Sequence, residues 1–228
     1  MSEKIYAIIT AGGTGSRMKS DIPKQYMDIG GEPMIAYALR AFEKSGVDKI
    51  IVVCATEHED FILKVIEDNK ISKFESFAGN GAERAFSVKN GLDLVPDDSK
   101  VLIHDAARPM ITPELIDSCI KALKSYDALI TAVPVKDTIK AVSDGVITDT
   151  PDRSTLFAAQ TPQCFATGVL KEAYRRWEED GRKLIPTDDA SLVEKFSDAD
   201  VHIIPGDDKN FKVTTPEDLR VAENLLCK

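Results

Sequence analysis

The sequence predicts an α/β fold in which a mostly parallel β-sheet is flanked by helices. Apolar runs of strand length alternate with amphipathic segments along almost the whole chain, as in parallel strands covered by helices. The first apolar run, residues 5–9, ends abruptly in the glycine-rich segment 11–15. The chain has 228 residues, 43% of them hydrophobic, and no internal repeat or linker. It is therefore predicted to form one domain, residues 1–228, with a sizeable core.

The first half of the chain supplies three of the predicted strands and three helices. Thr56 and Glu59 have the spacing of a capping box, which predicts that a helix starts at Thr56. Glycines end the third strand and open the helix that follows it. The predicted strands are 5–9, 49–54 and the run ending at 77–81; the helices are 33–45, the one starting at Thr56, and the one through 83–88.

The second half continues the alternation. Thr112 and Pro113 predict the start of a helix, since threonine caps helices and proline suits their first position. Thr167 is predicted to cap a helix that stops at Gly181, and Thr215 to start the last helix. The remaining predicted strands are 100–104, 128–135, 156–165, 201–205 and 210–214, and the remaining helices are 112–124 and the short one opened by 187–189.

The alternation breaks between residues 138 and 153. Two short, half-polar runs, 138–142 and 146–149, flank Ser143-Asp144-Gly145, which is typical of a hairpin turn. Such pieces are unsuited to the centre of a parallel sheet, so they predict a β-hairpin arm that leaves it. The arm is predicted to reach a second subunit, because excursions of this kind often make dimer contacts. An ordinary surface hairpin is the alternative.

Composition restricts the partners. The formal net charge of −9 argues against nucleic-acid and anionic-membrane binding by general electrostatics, so an anionic ligand needs a local basic cluster. No apolar run approaches the length of a membrane span, and no signal peptide is recognised. The four cysteines have neither disulfide-framework nor metal-ligand spacing. These features predict a cytoplasmic protein with reduced thiols.

The glycine loop, residues 11–15 (Ala-Gly-Gly-Thr-Gly), is predicted to bind phosphate. Its glycines let backbone N–H groups converge on one point, and Arg17 and Lys24 place positive charges nearby. It is not a P-loop, because no Gly-Lys-Ser/Thr follows. It also lacks the third glycine of a dinucleotide-binding turn, where Met18 stands instead. A plain tight turn would need neither of the two cations.

Further polar features follow other predicted strands at their carboxyl ends, where parallel sheets bind ligands. These features are the glycine loop, residues 79–81, 105–108 and 137–138, and Lys212. Within 105–108, Asp105 suits a hydroxyl or Mg²⁺ and Arg108 suits a phosphate, while the two intervening alanines let a sugar approach the backbone. A local ion pair that closes a turn is the alternative.

These motifs resemble those of cytidylyltransferases that act on 2-C-methyl-D-erythritol 4-phosphate. The shared segments run in family order over nearly the whole chain, from Ala11-Gly12-Gly13-x-Gly15-x-Arg17-Met18 and Pro23-Lys24-Gln25 onward. The others are 81–84 with 87–88, 105–109, 134–138, 160–163, 187–190 and 212–214. The resemblance implies a Rossmann-like fold of the nucleotide-diphospho-sugar transferase type, Mg²⁺ as cofactor, and a homodimer joined through the arm. It implies CMP transfer from CTP to the methylerythritol phosphate, with release of pyrophosphate, in non-mevalonate isoprenoid precursor synthesis.

The resemblance also implies a role for individual residues. The catalytic group is Arg17, Lys24 and Lys212, which would bind the triphosphate and the transition state. The nucleotide group is Ala11, Gly12, Gly13, Gly15, Gly81, Ser87, Asp105 and Ala106. The substrate group is Arg108, Thr138, Arg153, Thr161 and Thr187, with Asp105 shared between substrate and metal. Arg153 would reach the substrate phosphate of a neighbouring subunit. Residues 19–22, which lie between Arg17 and Lys24, are predicted to form a lid.

Two positions depart from the family pattern and leave the acceptor open. Gly12 stands where the methylerythritol enzymes often have alanine, and Ala82 replaces a frequent acidic residue. The Ala-Gly-Gly motif that contains Gly12 also resembles that of related enzymes that use ribitol 5-phosphate. Segments 152–156 and 187–194, in contrast, resemble the methylerythritol branch. The rival functions are those of a hexose-phosphate nucleotidyltransferase and, from another class, a non-catalytic nucleotide-binding regulator.

Overall fold

A seven-stranded sheet organises the protein, which was analysed as a computed structural model that describes residues 3–13 and 22–227. The strand order is β11-β7-β10-β6-β1-β4-β5. Neighbouring strands are parallel except at β10, which is antiparallel to both β6 and β7. The predicted fold class, a mostly parallel sheet between helices, is confirmed.

The elements follow the predicted alternation. The strands are β1 (Ile5–Thr10), β2 (Asp28–Ile29), β3 (Glu32–Pro33), β4 (Lys49–Cys54), β5 (Phe74–Gly79), β6 (Lys100–Asp105), β7 (Ala128–Pro134), β8 (Ala141–Ser143), β9 (Val146–Asp149), β10 (Phe157–Ala166) and β11 (His202–Pro205). The α-helices are α1 (Met34–Glu43), α2 (Glu59–Asp68), α3 (Arg84–Leu92), α4 (Pro113–Ala122), α5 (Thr167–Glu179), α6 (Asp189–Phe196) and α7 (Pro216–Leu226). Short 3₁₀ helices cover Lys24–Tyr26, Thr56–His58 and Arg153–Thr155.

The core lies on both faces of the sheet, because its central strands β1, β4 and β6 are buried over nearly their whole length. On one face, Leu39 and Phe42 of α1 pack with residues of α2 and α4. On the other, Val88 of α3 packs with Leu170 and Tyr174 of α5 and with α6. Burial of strands on two faces explains why their sequences are continuous apolar runs.

Of the four helix starts predicted at threonine residues, two are confirmed as side-chain caps and two are wrong. The Thr112 hydroxyl accepts from the N–H of Leu115, and Thr215 forms a complete capping box with Asp218. Thr56 instead starts a 3₁₀ turn with no side-chain cap, and α2 begins at Glu59. Thr167 is the first residue of α5 rather than its cap, and its hydroxyl lies 3.0 Å from that of Ser99 in the interior.

The predicted strand 210–214 is also wrong. This segment crosses the carboxyl edge of the sheet instead of joining it, and two contacts fix it there. The N–H of Val213 donates to the Ala107 carbonyl (2.8 Å), and the Asn210 amide donates to the Thr161 carbonyl (2.8 Å). The segment has the pattern of a strand because Val213 is fully buried, yet its backbone binds the strand ends.

The hairpin predicted at 138–149 forms a separate two-stranded sheet of β8 and β9. Its turn residues Asp144 and Gly145 both have positive φ, as tight hairpins with right-handed twist require. All residues of β8 and β9 are exposed. At the base, the N–H of Val135 donates to the Leu156 carbonyl (3.1 Å), so the hairpin continues the β7–β10 connection.

Within residues 3–13 and 22–227, no helix combines the length and the apolar character that crossing a membrane requires. All four cysteines lie within the described residues and are free thiols, three of them buried.

Candidate active site

Two adjoining cavities open at the carboxyl end of the central strands. The larger has a volume of about 370 Å³ and the smaller about 260 Å³. Both are lined by Arg84, Asp105 and Lys212, which therefore form a charged wall shared by the two cavities. A ligand in one cavity would lie against the same three side chains as a ligand in the other.

The glycine loop forms one side of the larger cavity through Gly12 and Gly13. The Gln25 amide donates to the carbonyls of Ala11 (2.6 Å) and Gly13 (3.0 Å), which holds these carbonyls to the protein. The Tyr26 hydroxyl donates to the Ala11 carbonyl as well (2.8 Å). This end of the loop is thus anchored from behind by the segment that carries Lys24.

Gly81 closes the opposite side of the larger cavity. A Cβ at Gly81 would lie 2.3 Å from the Cβ of Phe86 and 2.9 Å from the backbone nitrogen of Ser87, so a side chain does not fit. The Ser87 hydroxyl accepts from the N–H of Gly81 (3.0 Å). Glycine is therefore required here by the close approach of this backbone to the start of α3.

Lys24 lies in the floor of the larger cavity. Only 9% of its surface is exposed, and its ammonium donates to the Val213 carbonyl (2.8 Å). A buried ammonium is poorly hydrated, so it interacts more strongly with an incoming anion than an exposed lysine does.

The shared wall is organised by Asp105. One oxygen, Oδ1, accepts from Arg84 Nε (3.1 Å) and the Thr10 hydroxyl (3.1 Å), and the other, Oδ2, accepts from the Lys212 ammonium (2.7 Å). Burial alone would raise the pKa of Asp105, but Arg84 and Lys212 outweigh it and hold the pKa well below its usual range. Asp105 is therefore an anion at any physiological pH.

Arg108 lies in the smaller cavity. Its guanidinium donates to the carbonyls of Asn210 (2.8 Å) and Ala159 (3.4 Å), and burial lowers its pKa. Its buried Nε has no hydrogen-bond partner among the described residues. A buried, charged donor without a partner is costly, and an anionic ligand would satisfy it.

Thr161, also in the smaller cavity, has an orientation set by His104. The Nε2 of the fully buried His104 lies 3.2 Å from the Arg108 carbonyl, which can only accept, so Nε2 carries the proton. The bare Nδ1 then accepts from the Thr161 hydroxyl at 3.0 Å. Since that hydroxyl already accepts from the N–H of Asp105 (3.2 Å), it can offer a ligand only an acceptor. Thr161 is suited to a hydroxyl group rather than to a phosphate.

This arrangement predicts how stability depends on pH. Burial lowers the pKa of His104 from 6.5 to about 4, so the unfolded chain gains a proton there that the native protein does not. The contribution of His104 to the free energy of unfolding is therefore expected to fall by about 3 kcal/mol as the pH drops from about 6.5 to about 4. Denaturant unfolding of the wild type and of His104→Phe across this pH range tests it.

Comparing how steeply the free energy of unfolding changes with pH in the wild type and in His104→Phe isolates the contribution of His104. Burial raises the pKa of Asp189, so its contribution is lost as pH rises above its ordinary value of 3.8, but it is present in both proteins and cancels. The variant is expected to show a flatter dependence than the wild type. Equal slopes in the two proteins would contradict the assignment of a neutral His104.

The structure brings most of the predicted site residues together. The larger cavity is lined by Gly12, Gly13, Lys24, Gly81, Ser87, Asp105 and Lys212, and the smaller by Asp105, Arg108, Thr161, Thr187 and Lys212. Ala11 and Ala106 are buried and line neither cavity, whereas Ala107 lines the larger one. Thr138 and Arg153 are exposed near the hairpin and line neither cavity. Gly15, Arg17 and residues 19–21 of the predicted lid lie outside the described residues.

Several further lining residues were missed as site residues. Arg84 and Gln163 belong to segments that the sequence singled out, 81–84 and 160–163, but nothing in those segments indicates their roles. Gln163 accepts from the N–H groups of Asp189 (2.9 Å) and Ala190 (3.0 Å), which fixes the start of α6. Thr10 and Gln25 were missed because their contacts become visible only in the folded chain.

The fold and the paired cavities define a transferase of the nucleotidyltransferase type, and comparisons with known proteins agree. Residues 5–228 match the model of the family described as IspD, 2-C-methyl-D-erythritol 4-phosphate cytidylyltransferase. A protein of that name from Lachnospira eligens is 43% identical over 222 residues, covering 96% of this chain and 98% of its own length. Another from Geobacter metallireducens is 42% identical, with 97% of each chain covered.

Solved structures are similar as well. The 4-diphosphocytidyl-2C-methyl-D-erythritol synthase of Anaerococcus prevotii superposes with a TM-score of 0.87 at 32% identity, covering 99% of this chain and 97% of that one. The Francisella tularensis IspD superposes with a TM-score of 0.81 at 30% identity, covering 98% and 100%. This chain belongs to the 2-C-methyl-D-erythritol 4-phosphate cytidylyltransferase family. The family and enzyme class predicted from the sequence are confirmed.

Proposed function

We propose that the protein transfers CMP from CTP to 2-C-methyl-D-erythritol 4-phosphate, giving 4-diphosphocytidyl-2-C-methyl-D-erythritol and pyrophosphate. The observation that carries this proposal is the shared wall of Arg84, Asp105 and Lys212. CTP in the larger cavity and a polyol phosphate in the smaller would meet along it. Family membership and the names of the relatives support the same reaction.

The reaction needs little from the protein besides position and charge. An oxygen of the substrate phosphate attacks the α-phosphorus of CTP in line, a new P–O bond forms, and pyrophosphate takes the electrons of the bond that breaks. A phosphate monoester is already an anionic nucleophile at neutral pH, so no strong base or covalent intermediate is required. Lys24 and Lys212, together with Arg17, would neutralise the developing charge.

The smaller cavity suits a polyol that carries one phosphate. The unpartnered Nε of Arg108 offers a charged donor to the phosphate. The Thr161 hydroxyl offers an acceptor to a polyol hydroxyl, because its own proton is donated to His104. The two ends of such a substrate would thus be bound by groups of matching chemistry.

Mg²⁺ is the proposed cofactor, held mainly by CTP. Among the described residues no group of three or more His, Cys, Asp or Glu side chains could bind a metal ion. Asp105 is the carboxylate common to both cavities, and its oxygens already accept from Arg84 and Lys212. This fits an ion that takes most of its ligands from phosphates and water and at most one from Asp105. When bound, it would neutralise charge on the triphosphate.

The glycine at position 12 matches the pattern of the ribitol 5-phosphate enzymes, and this structure offers a local explanation for it. A Cβ at Gly12 would lie 2.6 Å from the Cβ of Asn80, closer than real Cβ atoms approach. The neighbouring Asn80 therefore accounts for a glycine at this position.

Pyrophosphate release with CTP and Mg²⁺ tests the proposal. The acceptors are methylerythritol 4-phosphate, ribitol 5-phosphate and none, each with and without EDTA. Release is expected only with the first acceptor and only without EDTA. Release with ribitol 5-phosphate alone would move the protein to polyol-phosphate activation. CTP binding without release from any acceptor would favour a non-catalytic regulator.

The hairpin 138–153 is proposed to be a dimerisation arm. Val142, Val146 and Ile147 are 58%, 65% and 59% exposed, an unusual amount of apolar surface for a hairpin this small. Thr138 and Arg153 line neither cavity of their own chain. Both facts suit an arm that packs on a second subunit and brings Arg153 to its substrate phosphate. A single domain and a cytoplasmic location, which the free thiols suit, complete the proposal.

Mixing two variants tests whether the arm completes a partner's site. With the polyol phosphate near its wild-type KM, Arg153→Ala and Arg108→Met are each expected to be nearly inactive, because each removes one phosphate ligand. In a mixed dimer, one site combines the intact Arg108 of one subunit with the intact Arg153 of the other. Equimolar mixing should therefore restore about a quarter of wild-type turnover. Failure to recover any activity, with exchange of subunits verified, would argue that Arg153 does not act across subunits.

A further inference from the structure

Arg84 occupies a central position that the reaction described so far does not use. It is the first residue of α3, and its guanidinium lies in the wall common to the two cavities. Nε lies 3.1 Å from Asp105 Oδ1, while Nη1 lies 2.8 Å from Asp189 Oδ2. One planar cation thus joins a carboxylate at the end of β6 to a carboxylate at the start of α6.

Asp189 depends on this contact. Its side chain is 1% exposed, and Oδ2 has no well-aligned hydrogen bond, so charge attraction holds it to Arg84. Burial raises the pKa of Asp189 and Arg84 opposes that rise. The carboxylate also lies 3.4 Å from the hydroxyl of the buried Tyr174. A buried carboxylate that loses its cation is strongly destabilised.

The contact with Asp189 connects Arg84 to the smaller cavity. Thr187 and Asp188, which line that cavity, directly precede Asp189 in the chain. Asp188 caps α6 through the N–H of Ser191 (3.0 Å), and Gln163 binds both Asp188 and the first N–H groups of the helix. Thr187, Asp188 and Asp189 are therefore one continuous segment, and the Asp189 carboxylate adds a contact to Arg84 at the start of α6.

The contact with Asp105 connects Arg84 to the larger cavity. Asp105 also accepts from Lys212, a cation proposed to bind the triphosphate. If Lys212 moves to a phosphate, Asp105 loses one of its two cationic partners. Arg84 stays with Asp105 and compensates its charge, which lowers the cost of releasing Lys212.

We propose that Arg84 is a positioning residue that joins the two substrate cavities by holding Asp105 and Asp189 together, and that it frees Lys212 for the triphosphate. The proposal rests on the proposed function for the identity of the two ligands. It predicts that loss of Arg84 weakens the binding of both substrates, because the two cavities share the wall that Arg84 holds together.

The experiment compares Arg84→Gln with the double variant Arg84→Gln/Asp189→Asn. The single variant leaves the Asp189 carboxylate without its cation and is expected to lower the melting temperature. The double variant replaces the buried ion pair by neutral amides and is expected to recover it, since such replacements are often neutral in stability. Arg176→Gln, which removes an exposed arginine paired with Glu172 on α5, is the matched control.

The decisive values are the KM for CTP and the KM for the polyol phosphate in the double variant, whose stability is expected to be restored. Both are expected to remain raised about tenfold or more, because Asp105 and α6 are no longer joined and Lys212 stays with Asp105. KM values within threefold of the wild type would overturn the proposal and leave Arg84 a purely structural residue. Arg84→Lys, which keeps the charge but cannot span both carboxylates, should recover less than half of the lost kcat/KM.

Calorimetric binding of CTP separates this proposal from the proposed function. Binding requires no turnover, so it can be measured even if the wild type releases no pyrophosphate with any acceptor. A tenfold weaker CTP affinity in the double variant would support the role of Arg84, whatever the reaction. Unchanged CTP affinity in that variant would overturn it.

Discussion

Lys24→Met is expected to lower kcat by about a hundredfold while the protein remains folded. The ammonium is nearly buried in the floor of the larger cavity, where it donates to the Val213 carbonyl. At that depth its interaction would strengthen as negative charge builds up on the transferring phosphoryl group, so its loss acts on the transition state more than on CTP binding. Steady-state kinetics with both substrates saturating would measure the effect.

The matched control is Lys171→Met. Lys171 also donates an ammonium hydrogen bond to a backbone carbonyl, that of Val95 (2.6 Å), and pairs with Asp97, but it lines neither cavity. Both variants lose an ammonium–carbonyl contact, and they differ in whether the cation faces the site. Comparable kcat values for the two variants would remove Lys24 from the proposed catalytic group. Arg17→Ala is expected to lower turnover by roughly tenfold or more on sequence grounds alone.

Arg108→Met is expected to raise the KM for the polyol phosphate by about a hundredfold and to leave the KM for CTP within about threefold. The reason is the buried Nε, a charged donor without a partner among the described residues and suited to a phosphate oxygen. Arg108 lines the smaller cavity only, so the two substrates should respond differently. Varying each substrate in turn at a saturating level of the other gives the two values.

Arg108→Lys separates charge from geometry. Lysine keeps the positive charge but loses the planar fork that reaches the carbonyls of Asn210 and Ala159 while leaving Nε for a ligand. We expect a KM between those of the wild type and Arg108→Met. An equal rise in both KM values would instead indicate that the site has collapsed, and thermal unfolding would reveal the accompanying loss of stability.

Local signals in the sequence predicted most of the framework. Strand β4 runs from Lys49 to Cys54 as expected, because a strand buried on both faces must be a continuous apolar run. Local signals failed where two outcomes share one pattern. Thr215 and Thr56 both precede an acid three residues later, but only Thr215 forms the reciprocal capping box, and Thr56 begins a 3₁₀ turn.

The candidate site was also predicted only in part, because local signals reveal some of its residues and not how they pair. Glycines and charged residues after strands indicate a ligand site because parallel strands end at one edge. The pairing inside that site depends on distant parts of the chain and leaves no local signal. Arg84 and Asp189 are far apart in sequence and meet only when α3 and α6 pack on the same face. Strand 156–165 was predicted, but its antiparallel direction, which brings Thr161 and Gln163 into the smaller cavity, leaves no signal in the periodicity.

The connection between β7 and β10 gives this chain a place where its length can change freely. Pro134 and Phe157 already face each other in the antiparallel ladder, and neighbouring strands in that arrangement need only a two-residue turn. The residues between them are thus not required to close the sheet. Insertions, deletions or exchange with a sequence from another protein can alter this segment without shifting a strand of the core. The proposed contact between subunits could consequently be changed by engineering this segment, while the sheet that carries the two cavities stays unchanged.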